Sequence, residues 1–270
     1  MMNLSLGIDI NSKVISDDSG IITPPLDLYT GAQTAISFAR KLRTAYTGYA
    51  MKVINEDSAE LEVGYDGLDT NETALENHRT GTGILKVITA YDNGLNGNDW
   101  TQATDSKRPL IADASGLIKD NGKLAILSDS DDLLTVILTG SATTTAFHVF
   151  KTTVNSTITC NDTNNGGRYY GLSKSGQVYV DYAGCGTPTT YVNGSITTTA
   201  GELYTALINK QVVNTFTSLN LSAWLEFSTW YGSGFPAPTY IQEKIIYDID
   251  KSSDRADIEN NQIAYFSIPV

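Results

Sequence analysis

Two cysteines, two histidines and only 18 basic residues against 30 acidic ones are the scarcities that first narrow the reading of this 270-residue chain. Two cysteines do not make a disulfide framework. Cys160 and Cys185, each in a turn-like stretch rich in glycine or asparagine, are expected as unpaired thiols. His78 and His148 lie far apart, near neither a cysteine nor a Gly-x-Ser-x-Gly elbow. That spacing argues against a transition-metal centre and against a serine or cysteine nucleophile with its base. His148, alternating with Phe147 and Val149, is expected at a strand surface or edge. A net charge of −12 disfavours nucleic acid and anionic membranes. The one basic group, Arg40, Lys41 and Arg43, reads as the solvated face of a helix. No apolar run approaches the roughly 20 residues that span a bilayer, so no membrane insertion is expected. The first ten residues carry neither a basic leader nor a long apolar core, so no secretory signal peptide is expected and synthesis is placed in a cytoplasm.

What remains is a chain 41% hydrophobic and only 18% charged. Its surface must therefore be covered by Thr, Ser, Asn and Gly, a composition suited to strands with neutral outer faces and many turns. Short alternating runs predict strands at 84–91, 133–138, 145–152, 177–182, 189–192, 211–216 and 223–230, with a hairpin formed by 50–54 and 60–65. Asn193-Gly194 is a tight-turn signal. Ala32, Ala35, Ile36, Ala39 and Leu42 recur at helical spacing and predict a helix over 29–46. Asp69-x-x-Glu72 resembles a capping box opening a second, short helix. Residues 202–209 fit a helical turn or a strand equally. Thr23-Pro24-Pro25 marks a boundary, dividing an extended attachment arm at 1–23 from a domain at 24–270.

Near the end, Ile241, Ile245, Ile246 and Tyr247 predict a closing strand, and Ser252, Ser253 and Asp254 cap a helical pattern of Ile258, Gln262 and Tyr265. Upstream stand Leu26-Asp27-Leu28-Tyr29-Thr30-Gly31-Ala32, the loop Tyr91-Asp92-Asn93-Gly94-Leu95-Asn96-Gly97-Asn98-Asp99-Trp100, Arg108-Pro109 and Asn121-Gly122-Lys123. In this order, over residues 24–266, they resemble the concanavalin-A-like (laminin-G-type) jelly-roll domains of bacteriophage tail and fibre proteins. The first half is also similar to the catalytic domain of fungal and bacterial α-L-arabinofuranosidases. The resemblance implies a mainly β fold, a concanavalin-A-like jelly-roll sandwich with a few short helices.

An arabinofuranosidase needs two carboxyl groups across a sugar-sized cleft. The second half offers Glu202, Glu226 and Glu243, with Asp162, Asp181 and Asp248, none in a context matching the family's motif, so no catalytic residue is carried over. Sugar contact calls for an aromatic plate with polar neighbours. The candidates are Tyr169 and Tyr170 with Arg168, beside Asn164 and Asn165, and Trp230 with Tyr231. The competing reading packs these rings into the sandwich or against another subunit. Asp92, Asn96, Asn98 and Asp99, and the turn of Asp129, Asp131 and Asp132, carry oxygens that suit calcium. Loops of this composition also fold on themselves through side-chain to backbone bonds, with Tyr91 and Trp100 as anchors. No other cofactor is expected.

The resemblance then implies a non-enzymatic virion protein, a tail, fibre or capsid appendage. Its arm would grip other virion proteins, its copies would form a homo-oligomer, and its lectin-like domain would adhere to host-surface glycan through avidity. The alternatives are a glycoside hydrolase of arabinofuranosidase type and a purely architectural virion subunit without a ligand.

Overall fold

The computed structural model describes residues 22–128, 132–153, 156–157, 159–163, 168–171, 173–174, 184–229 and 239–269. All of the expected arm except Ile22 and Thr23, and the expected strand at 177–182, lie outside the described residues. Four helices are described: α1 Pro25–Leu28, α2 Glu72–His78, α3 Ala200–Leu207 and α4 Arg255–Phe266. The strands that matter below are β1 Thr34–Ser37, β2 Met51–Asn55, β3 Glu60–Val63, β4 Leu85–Ala90, β5 Trp100–Thr101, β6 Leu110–Asp113, β7 Ile126–Ser128 and β8 Thr135–Ile137. They continue with β9 Thr144–Thr152, β10 Cys160–Asn161, β11 Tyr169–Tyr170, β12 Thr189–Val192, β13 Ser195–Thr197, β14 Gln211–Leu219, β15 Glu226–Ser228 and β16 Thr239–Tyr247.

The fold is mainly β, as the sequence predicts. An antiparallel sheet of 15 strands runs in the order β13-β12-β14-β9-β16-β7-β6-β4-β5-β8-β15, with β1 beside β16 and β2 joining β3 to β4. The sheet closes over one interior, to which Val53, Val87 and Ile111 contribute from one part and Val149, Phe216, Phe227 and Ile246 from the other. No helix among the described residues is long and apolar enough to cross a membrane.

The predicted closing strand, β16, is the centre of this sheet. It pairs with β9 along one edge and with both β1 and β7 along the other. Eight of its nine residues are buried, because one face lines the sandwich interior and the other lies under α4 and the opening segment. The second face forms a smaller core of Leu26, Ala35, Leu42, Phe147, Ile245, Tyr247 and Ile258.

This two-sided burial corrects the helix expected over 29–46. Residues 34–37 are a strand with every side chain buried, Ala35 entering the smaller core and Ile36 the larger. Burial on two sides puts neighbouring residues such as Ala35 and Ile36 both inside, and such a short buried run cannot be told from a buried helix segment by periodicity alone. Arg40 is likewise not on a solvated helix face: it is 2% exposed. Its guanidinium holds Glu243 in a two-point pair, Nε to Oε2 at 2.8 Å and Nη2 to Oε1 at 3.0 Å, and donates through Nη1 to Asn261 Oδ1 at 2.9 Å. Gln262 Nε2 donates to Glu243 Oε1, and the Tyr265 ring lies 4.3 Å below the guanidinium carbon.

The helix caps also differ in detail. α2 begins at Asn71, whose Oδ1 accepts the Ala74 N–H, while Asp69 sits in a two-residue strand. The ambiguous 202–209 segment overlaps the C-terminal part of α3, fixed by a reciprocal capping box between Thr199 and Glu202. Asn193 and Gly194 both take positive φ, 48° and 83°, in the turn joining β12 to β13.

Replacing Arg40 with Met leaves the buried Glu243 carboxylate without its counter-ion, an expected loss of about 3–5 kcal/mol in urea unfolding. The double change Arg40→Met with Glu243→Leu, which removes both charges, is expected to recover most of that loss.

Candidate functional site

The three glutamates singled out in the sequence have separate fates. Glu202 is consumed by the α3 cap, its Oε2 accepting from the N–H of Thr198 and Thr199, and these bonds hold its carboxyl below the usual range. Glu243 is sealed in the Arg40 pair. Glu226, half-buried at the start of β15, lines an open groove of about 330 Å³ together with Gly97, Asn98, Asp99, Thr101 and Ile137. Of the aspartates, Asp248 is exposed and Asp181 lies outside the described residues.

The register explains how two distant loops meet there. Thr101 pairs with Thr135, and Ile137 pairs with Glu226, so Asp99, two residues before Thr101, falls level with Ile137 and Glu226. Across two antiparallel spacings the Asp99 and Glu226 backbones stand about 10 Å apart. Val136 and Phe227 point into the core, and Ile137 between the two carboxyls is 79% exposed, so this row faces outward.

Glu226 is held from the next hairpin. The Thr163 hydroxyl donates to its Oε2, the Thr163 N–H to its carbonyl, and the buried Asp162 pairs with Phe227 in an isolated bridge. Asp162 accepts from Arg168 Nη1 at 3.3 Å, and that nitrogen also donates to the Ala223 carbonyl. Arg168, expected as a sugar contact, therefore clamps the hairpin onto β15. Tyr170 is fully buried, its ring 4.9 Å from Phe216 and 5.6 Å from Trp224, so it cannot stack on a sugar; the packing alternative applies to it. Its neighbour Tyr169 is half-buried on the opposite face of the same two-residue strand. Trp230 and Tyr231 lie outside the described residues.

The 92–99 loop folds on itself. Asp92 Oδ1 accepts from the N–H groups of Ala35 and Gly94, and Oδ2 from those of Asn96 and Asn98. Burial nevertheless pushes the Asp92 carboxyl up. The Asn96 and Asn98 amides donate to the carbonyls of Ala32 and Gln33, and Asp99 Oδ1 accepts the Asp92 N–H at 2.8 Å. Trp100 anchors the loop, its Nε1 donating to Thr34 Oγ1. Asp129 and Asp131 lie outside the described residues, and the Asp132 carbonyl accepts the Ser128 hydroxyl.

A second polar group lies inside the sandwich. His148, expected at a surface or edge, is 1% exposed on the central strand β9 because β14 and β16 flank it. Its Nε2 lies 3.1 Å from the Tyr170 hydroxyl and its Nδ1 3.3 Å from Lys244 Nζ, which also donates to the Thr159 carbonyl. Burial drives the His148 pKa well below its ordinary value and pushes Lys244 from 10.5 down to about 8. Cys160 and Cys185 are buried and not joined to each other, their thiols donating to the carbonyls of Ser228 and Tyr169. No sequence pattern marked Lys244, which sits in a run that reads as ordinary strand.

No family model matches the sequence, and no curated protein matches it. Solved structures do match. They include an arabinofuranosidase complexed with arabinofuranosyl-α-1,2-xylobiose (TM-score 0.61, 13% identity) and a GH54 α-L-arabinofuranosidase soaked with a cyclic sulfate inhibitor (0.58, 15%). A third is a Glu-to-Gln mutant of a GH54 α-L-arabinofuranosidase soaked with 4-nitrophenyl α-L-arabinofuranoside (0.60, 13%). Each match covers 90% of this chain, which spans 65% of the length of the matched protein. The shared feature is the sandwich fold. The expectation of a non-enzymatic phage virion appendage is corrected by these matches, all three to carbohydrate-active enzymes and none to a tail or fibre protein. The segment order that suggested a virion protein belongs to the fold, and one fold hosts many activities.

Between pH 8 and 10.5 the folded protein has released the Lys244 proton while the unfolded chain still holds it, so stability rises with pH across that window. The expected gain, about 1 kcal/mol per pH unit, is read as the difference in urea stability between wild type and Lys244→Met, which lacks it.

Proposed function

We propose that the chain is a glycoside hydrolase of arabinofuranosidase type, with Glu226 and Asp99 as its pair of carboxyl groups. The observation that carries this reading is their placement on opposite walls of one outward-facing groove in a sandwich of that fold. Glycoside cleavage needs one carboxyl to protonate the leaving oxygen and another to engage the anomeric centre, directly or through the attacking water. Glu226, with Oε2 anchored by the Thr163 hydroxyl, keeps Oε1 for the groove and serves as nucleophile or base. Asp99, with Oδ1 fixed by the Asp92 N–H, offers Oδ2 as the proton donor. The exposed Ile137 between them is the apolar floor against the ring, and Tyr169, on the hairpin beside β15, is the aromatic residue suited to an extended substrate.

The test is release of 4-nitrophenol from 4-nitrophenyl α-L-arabinofuranoside and of arabinose from arabinose-bearing xylo-oligosaccharides. Glu226→Gln and Asp99→Asn are each expected to lower kcat/KM at least about 100-fold, and Glu202→Gln to leave it unchanged. Wild-type protein that releases neither product, or full activity in both groove variants, overturns the reading.

A further inference from the structure

The outward row that carries Glu226 and Asp99 continues past Asp99. Thr89 pairs with Thr101 and Ala90 with Trp100, so Tyr91, the next residue, falls level with Asp99 at one strand spacing, about 5 Å. Residues two apart on a strand share a face, as do residues directly opposite across a pair, so Tyr91 stands on the outer face with Thr89 and the exposed Thr101. Tyr169 lies at the other end, beyond Glu226. Tyr91 is thus the ring on the Asp99 side.

That ring is laid along the sheet. The Tyr91 N–H donates to the carbonyl of Ala50, the residue before β2, and its hydroxyl donates at 2.9 Å to Glu62 Oε1 on β3, one strand further. To reach from the end of β4 to β3 the side chain crosses the start of β2, where Ala50 is only 1% exposed. Tyr91 is itself half-buried, as a ring is with one face on the sheet and one open. Tyr49, 46% exposed, sets its ring 6.1 Å from that of Tyr91 and tilted by 46°, and its carbonyl accepts the Tyr46 hydroxyl. Neither Tyr49 nor Tyr91 belongs to either hydrophobic core. Burial, then the Glu62 carboxylate and then Asp99 push the Tyr91 phenol up, so its hydroxyl remains a donor to Glu62. An aromatic pair held in place, facing outward beside a candidate cleavage point, is suited to stacking on the flat face of a sugar.

We propose that Tyr91 and Tyr49 form a stacking subsite for the main chain of the substrate, a xylo-oligosaccharide backbone that departs on the Asp99 side when its arabinose branch is cleaved. The inference rests on the Glu226 and Asp99 reading, because the carboxyl that protonates the leaving oxygen fixes the side on which the leaving sugar sits. The sugar bonded to that oxygen extends past Asp99 and meets Tyr91 one strand further along. Glu62 is a positioning residue: it holds the ring against the sheet through its hydroxyl. The subsite makes the enzyme select branched chains over small arabinosides.

Binding is tested with unbranched β-1,4-xylotetraose, which contains no arabinose, by titration calorimetry. Wild type is expected to bind it, Tyr91→Ala to weaken binding about 10-fold, and Glu202→Gln to bind as wild type does. In kinetics the readout is the ratio of kcat/KM on an arabinose-bearing xylo-oligosaccharide to that on methyl α-L-arabinofuranoside, whose leaving group is too short to reach the rings. Tyr91→Ala is expected to lower this ratio about 10-fold, chiefly through the KM of the oligosaccharide. Tyr49→Ala, at an exposed position where folding is not at stake, lowers it in the same direction. Tyr91→Phe, which keeps the ring and frees it from Glu62, falls between wild type and Tyr91→Ala, and Glu62→Ala matches it. Wild type that does not bind xylotetraose, or Tyr91→Ala that binds it equally well, overturns the subsite, as does an unchanged ratio in an active enzyme. Xylotetraose binding that depends on Tyr91 in a protein that cleaves neither arabinoside supports the subsite and counts against the Glu226 and Asp99 pair alone.

Discussion

The burial of the Glu243 carboxylate is the constraint from which the rest of the architecture follows. A charge in the middle of a central strand is tolerated only when its desolvation is offset by a well-aligned counter-ion and further hydrogen bonds. Arg40 from the opening segment and Gln262 from α4 supply them, with Asn261 steadying the guanidinium. The three parts of the chain therefore lock in one register. Asn261 extends the lock by donating to the Thr23 carbonyl. The adjacent residue, Lys244, points to the opposite face, where its ammonium meets His148 Nδ1 and the Thr159 carbonyl, and among the described residues no carboxylate pairs with it. One strand thus carries an ion pair on one side and, on the other, a cation held by neutral acceptors.

Much of the fold was readable because its strongest signals are local. The run of β-branched and aromatic residues at 241–247 marks β16, the serine and aspartate stretch marks the start of α4, and Asn193-Gly194 marks a hairpin. The failures occurred where burial came from two sides. Ala35 and Ile36 look like one face of a helix only if one core is assumed; with a core on each side they are neighbours in a strand. Arg40 was misplaced for the same reason, since nothing near it in sequence announces Glu243, 203 positions away.

The candidate site was legible as parts and not as a whole. Glu226 was one of three glutamates of equal standing, and Asp99 belonged to a loop read for its oxygens. What joins them is the pairing of β5, β8 and β15, strands of two or three residues whose register depends on distant partners. Such short strands carry almost no periodicity of their own, so no inspection of residues 99 and 226 alone places them in a row. The burial of Tyr170 had a faint sign, an adjacent tyrosine pair in an alternating strand, in which one ring must face inward. The hairpin that carries it clasps Glu226 through Thr163, and of its two rings only Tyr169 is left outside the core.

The position of β16 has a consequence for how the molecule is made. Strand β16 is inserted between partners synthesised far earlier, β9, β7 and β1, the last of them some 200 residues before it. Until then the strand edges of β9 and β1 remain open, and Arg40 has no counter-ion. Assembly of the centre therefore waits for translation to pass residue 247, and docking of α4 waits for residue 266. A topology dominated by such distant pairings folds slowly and leaves sticky edges exposed meanwhile. Until β16 has emerged, those unpaired edges are where the nascent chain is most open to wrong pairing.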